Sequence, residues 1–231
     1  LELVIVNGTS GYIYSDLSGF RLITDTDFPD AFTVDFFNQY FIVDSSGTSD
    51  FQKSAELDGT SWSATEVGNA ESSPDNVKAI VSNYPILIVF GEETIEGYQD
   101  VGAVNFPFQR IPGGVIARGL SASLCTAKAD NAVFFKGNDR VFYRLNGLTV
   151  PARVSHHALE SAWQRYGTVS DAHAFAYDWN GHKFVVVNFP TENATFQYDI
   201  STGLWQERRS RDEHNNDLGR WRGNAVCTAY G

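Results

Sequence analysis

The chain has no methionine, two cysteines, seven prolines and 17 basic residues against 28 acidic ones among its 231 residues. Each shortage excludes something. A net charge of -11 argues against the clustered Lys and Arg that sequence-independent binding to phosphate requires, and it favours solubility instead. No apolar run approaches the roughly 20 residues that span a bilayer, and no basic-then-apolar segment opens the chain, so we expect a soluble protein with no membrane partner. There is no phosphate-binding glycine loop, nucleophile elbow or paired-cysteine metal motif. The missing methionine, a start at Leu1 inside a strand-like run and an abrupt stop at Gly231 lead us to expect one domain, residues 1–231, belonging to a longer protein.

What is present is apolar, aromatic and turn-rich: 42% hydrophobic, 14% aromatic, with 20 glycines. That composition supports a sizeable core. A motif of strand, short glycine turn and strand recurs five times, with turn glycines Gly19, Gly59, Gly102, Gly147 and Gly203 separated by 40, 43, 45 and 56 residues. This is the period of a propeller blade. Four of these hairpins follow a second pair of apolar runs: TVDFFNQYFIVD, AIVSNYPILIVF, SLCTAKADNAVFF and AFAYDWNGHKFVVV. Each unit then has four short strands, as a blade does.

The first unit has only one apolar run, LELVIV, before its hairpin. GNAVCTAYG at the other end matches the register of SLCTAKADN, with Cys227 falling where Cys125 falls. We therefore expect an all-β, five-bladed β-propeller closed by pairing of Asn224–Tyr230 with Leu1–Val6, which would hide the sheet edges. A six-bladed ring is the alternative, and it needs a unit that this sequence does not display. Both cysteines then occupy equivalent inner positions of non-adjacent blades, too distant for a disulfide, and read as buried free thiols suited to a reducing cytoplasm. The sequons at Asn7 and Asn193 read as coincidence, since nothing else points to secretion.

One segment departs from strand patterning. In SHHALESAWQRY, Ser155 stands as N-cap, Val154 and Leu159 are placed as a hydrophobic staple, and Leu159, Ala162, Trp163 and Tyr166 share one helical face. A helix over 155–166 between the fourth and fifth blades is expected, and it accounts for the longest glycine separation. Elsewhere WNGH is a strong hairpin signal, because Asn180 and Gly181 both accept positive φ.

Candidate chemistry is sparse, and each candidate has a plainer reading. His156 and Glu160 share a helical face with His157 beside them, a pattern that can hold a metal but also describes solvent-facing helix residues. Asp25, Asp27 and Asp30 could approach a hard cation, yet the glycine and terminal Glu of a calcium loop are missing. Asp35, Asp130 and Asp178 near inner strands could supply the paired carboxylates of a glycosidase, although Asp is common at strand ends for turn reasons. We assign no catalytic, metal or cofactor residues.

Taken in order, FGEETIEGYQDVGAVNFPFQRIPGGVIARGL, ADNAVFFKGNDRVFYRLNG, RVSHHALESAWQRY and GHKFVVVNFPTENATFQYDISTGLWQER resemble the tail-hub proteins of short-tailed phages, also called packaged-DNA stabilisation or head-completion proteins. The resemblance runs from about Asp35 to Arg208. It implies a non-enzymatic virion protein of the tail or neck, made in the host cytoplasm. Such a protein joins other copies in a ring beneath the portal, closes the channel, retains packaged DNA without binding it specifically, and anchors the tail needle or tailspikes. Partner contacts are expected at Phe106, Phe108 and Arg110, in the loop after the third blade's outer hairpin, and on the helix at His156, His157 and Glu160, because aromatic residues and Arg are enriched at interface hot spots. For the phenylalanines the competing reading is inter-blade packing. The alternatives in function are a generic propeller protein-interaction module and a carbohydrate-active propeller enzyme.

Overall fold

Short β-branched and aromatic runs become strands here because their neighbours are turn formers, and within each sheet a strand pairs with the next one along the chain. The computed structural model describes residues 1–70 and 75–226. Two compact units divide the chain, Leu1–Leu120 and Ser121–Gly231.

The first unit contains three antiparallel sheets. Strands β1 (Glu2–Val6), β2 (Gly11–Ser15) and β3 (Gly19–Leu22) form a three-stranded sheet in chain order. Strands β4 (Val34–Phe37), β5 (Tyr40–Asp44), β6 (Asp50–Ala55) and β7 (Asp58–Asn69) form the second, and β8 (Val77–Asn83), β9 (Ile86–Gly91), β10 (Ile95–Asp100) and β11 (Phe108–Ile116) the third. Alternate residues turn inward, as pleating requires. Val4, Ile13, Phe41, Val43 and Trp62 fill one apolar cluster, and Phe37, Phe51, Leu87, Val89 and Tyr98 contribute to another.

The second unit repeats the meander twice. Strands β12 (Thr126–Ala129), β13 (Ala132–Lys136), β14 (Phe142–Leu145) and β15 (Ala152–Arg153) form one sheet, and β16 (His173–Trp179), β17 (His182–Phe189), β18 (Ala194–Asp199) and β19 (Leu204–Glu207) the other. Between them lies helix α1 (His157–Gln164). Its fully buried Trp163 packs against Phe189, Phe196 and Trp205, each with ring centroids 5.7 Å away. Burying a side chain of this size contributes roughly 1.5–3 kcal/mol, so the helix is held by its packing rather than by its short length.

Among the described residues these are five blades of antiparallel strands, four of them four-stranded, with one short helix. The first sheet has three strands, with β1 at one edge. Asn224, Ala225 and Val226, expected to begin a closing strand, are not in a strand, and the rest of that expected strand, Cys227 included, lies outside the described residues. Instead a two-stranded hairpin, β20 (Arg209–Arg211) and β21 (Asp217–Arg220), follows the last blade.

Three local expectations need correction. Four of the five repeat glycines have positive φ, but Gly59 does not. It lies inside β7, where an added Cβ would stand 2.9 Å from Val4 Cγ2 and 3.0 Å from Ile13 Cδ1, so close packing requires glycine there, and Leu57 takes the positive φ of the turn. Second, Phe108 and Arg110 are not in a loop after the third blade's outer hairpin. They belong to β11, because Asp100 pairs with Phe108 and Tyr98 with Arg110, so the loop is the long hairpin connection before them. Third, the helix is shorter than 155–166 and its N-cap is His156, whose Nδ1 accepts from the Leu159 amide at 3.4 Å. That frame makes Ser155 and Glu160 the staple positions, and they join by a hydrogen bond, Ser155 Oγ to Glu160 Oε1 at 2.6 Å, rather than by apolar contact.

Candidate functional site

Each predicted site residue takes its place from these elements. Glu160, 5% exposed, faces inward. Arg153 of β15 holds it with a bidentate pair, one arm being Nε to Oε1 at 2.7 Å, and Ser155 donates a further bond. The Arg153 hydrogen bond holds the Glu160 carboxyl below its ordinary value against the opposing effect of desolvation, with Ser155 adding to the lowering. Ser155 Oγ also accepts from the buried Phe142 amide at 3.0 Å, which ties the helix entrance to β14. His156 and His157 are exposed at the start of the helix, so they and Glu160 do not present one common surface. Among the described residues, no three His, Cys, Asp or Glu are gathered so as to hold a metal ion.

Phe106 and Phe108 lie within the apolar packing of the first unit. Phe108 is buried and stands 5.5 Å from Phe106, which in turn lies 5.6 Å from Phe51. The inter-blade reading of these rings holds. Arg110 is exposed on β11, with Nη1 3.6 Å from Oε2 of the buried Glu96.

The carboxylates considered for metal binding or catalysis serve local structure. Asp25 accepts from the Asp27 amide at 3.0 Å and from the Trp62 amide at 2.9 Å, and these bonds hold its carboxyl below the usual range. Asp27 accepts from the Ala64 amide at 3.2 Å. Asp35 takes the amides of Phe36 and Ser82 at 2.8 and 2.7 Å. Asp130 pairs with Arg144 at 2.8 Å, and Asp178 stands 3.8 Å from Lys183.

Sequence reasoning passed over a cleft of about 890 Å³ on the sheet of β16 to β19, lined by aromatic rings, Gln197, Asp199, His182 and Arg208. Its signal was present in AFAYDW, where Phe175, Tyr177 and Trp179 alternate onto one face. Read as a repeat unit, that alternation indicated only a strand.

A protein-family model described as bacteriophage P22 Gp10, beta-propeller, matches residues 2–231. The chain belongs to this family. It is a phage structural protein, associated with the virion, and its fold is the family's β-propeller. No curated protein matches. Among solved structures, the dihydro-heme d1 dehydrogenase NirN is similar with a TM-score of 0.56 at 10% identity, over 90% of this chain and 44% of that one. Hsv2 from Kluyveromyces lactis gives a TM-score of 0.47 at 11% identity, over 90% of this chain and 60% of that one. This chain thus spans about half the length of those two proteins, and the likeness to NirN is one of fold alone. No helix among the described residues is long and apolar enough to cross a membrane.

Proposed function

We propose that this Gp10-family protein is a tail hub, a head-to-tail adaptor that joins other copies in a ring beneath the portal, closes the channel and anchors the tail needle or tailspikes. The observation that carries this reading is the family match across residues 2–231. An antiparallel propeller suits the task, because dense hydrogen bonding and layered cores make a stiff connector without requiring catalysis. The acidic balance of the chain fits DNA that is retained mechanically, with no protein grip on phosphate. Closure of the ring by residues 224–230 pairing beside β1 belongs to the same proposal, and it is supported by the three-stranded first blade, in which β1 is an edge strand.

The experiment is genetic and structural. Particles assembled without this gene product should package DNA and then lose it, and should carry neither needle nor spikes by electron microscopy. Supplying the full-length protein before the DNA escapes should keep it inside and restore needle and spikes. Particles that keep their DNA and tail parts without it would overturn the adaptor role.

A further inference from the structure

We propose that the cleft on the β16 to β19 sheet binds a pyranose oligosaccharide. This inference rests on the cleft alone and is independent of the adaptor reading.

The rings are arranged as a partly uncovered platform. Tyr177 lies 5.2 Å from Phe184 and 6.3 Å from Trp221, Phe175 lies 5.8 Å from Trp221, and none of these pairs is face to face. Trp179, at the end of β16, is 65% exposed. Polar groups without full partners line the same cleft. Gln197 is 2% exposed and its Oε1 accepts from the Tyr177 hydroxyl at 2.8 Å, which fixes the amide at the floor of the cleft. The Arg208 guanidinium stands 5.2 Å over the Trp221 ring and has no carboxylate partner among the described residues. His182 gives Nδ1 to Asp199 at 2.9 Å, which fixes the ring and leaves Nε2 for another partner.

These features select the ligand class. A lipid or other purely apolar occupant would cover Arg208 and His182 Nε2 without pairing them. A phosphate-rich ligand needs clustered cations, and Asp178 and Asp199 on the same wall repel it. A pyranose has a C–H face that lies on aromatic rings and a rim of hydroxyls, each both donor and acceptor. That rim matches the amide and guanidinium donors together with the carboxylate acceptor. The cleft also has the size of a ligand site with a few placed polar groups in apolar walls.

The test uses the full chain, with maltohexaose, cellohexaose, chitohexaose and hexagalacturonate as probes, read by tryptophan fluorescence and by amide chemical shifts. At least one sugar should bind saturably, with shifts confined to Phe175 to Phe184, Gln197 to Arg208 and Trp221. Trp179→Ala and Gln206→Ala, both at exposed positions, should weaken binding about tenfold or more while leaving the melting temperature unchanged. Absence of saturation by all four sugars at about 10 mM would overturn the proposal, since weaker binding than that is no specific recognition. So would sugar binding that Trp179→Ala leaves intact, or a proline-rich peptide that occupies the cleft when no sugar does.

Discussion

Lys136 is fully buried on β13, and its ammonium has no hydrogen-bond partner among the described residues. It stands 5.5 Å over the Trp163 ring and 5.9 Å over Phe189, so ring faces supply part of what water would. Burial pushes its pKa down to about 8 from 10.5. The folded pKa lies below the unfolded one, so from about pH 8 to 10.5 the unfolded chain holds a proton that the folded chain lacks, and stability rises with pH through that window. Burial also pushes the Cys125 thiol up to about 12 from 9, which acts in the opposite sense above pH 9, so pH 8 to 9 isolates the lysine. Denaturant unfolding should show stability rising across that interval in the native sequence and flat in Lys136→Met. At pH 7 the variant should be more stable by on the order of 2–3 kcal/mol, the cost of charging a buried amine being removed. A Lys136→Met protein less stable than the native one at pH 7 would mean that the ammonium is solvated by water inside the fold.

At the scale of single elements, α1 is an eight-residue helix whose entrance is fastened by polar bonds. Its folded Glu160 pKa lies below the ordinary 4.5, so its contribution is complete above that value and is lost as pH falls through the folded pKa. Ser155→Ala removes the partner of the buried Phe142 amide as well as a donor to Glu160, and should cost about 1–3 kcal/mol by thermal or urea unfolding at pH 7. Glu160→Gln should lose a similar amount at pH 7, and the gap to the native protein should close on acidification below pH 4. A gap that persists at low pH would show that shape, not charge, sets the role of Glu160.

The same elements show what could be read in advance. The five hairpins were legible because apolar runs and turn glycines recur at a blade's period. The inner hairpin turns of three blades place two successive residues at positive φ, namely Asn38 and Gln39, Asp130 and Asn131, and Asn180 and Gly181. Only the last pair advertises itself by containing glycine. Gly59 was misread because a glycine required by packing has the same letter as one required by φ. The hairpin of β20 and β21 was missed because RSRDEHNNDLGR has no apolar alternation, and its turn is held by Asp212, which accepts from the His214 and Asn216 amides at 2.9 and 2.8 Å. Glu160 looked solvent-facing because helical spacing does not reveal that Arg153, seven residues earlier on a strand, reaches back to it.

For the whole molecule, the blades differ in their edges. If residues 224–230 complete the first blade, the β1 amides that do not bond to β2 should exchange slowly in native-state hydrogen exchange of the full chain, and fast once the chain is cut after Gly223. Fast exchange at those amides in the uncut chain would leave the first blade three-stranded and its ring unclosed by this route. Edge protection matters because an unpaired strand recruits neighbours indiscriminately.

The placement of Lys136 above Trp163 also has an optical consequence. A positive charge fixed beside an indole shifts the energy of its excited state, and neutralising that charge shifts it back. Trp163 is sealed from water between α1 and the last blade, so its emission colour registers the protonation of one lysine and the tightness of the packing around it. Because Trp179, Trp205 and Trp221 share the second unit, the signal is read as the difference between the native protein and Trp163→Phe, without labelling.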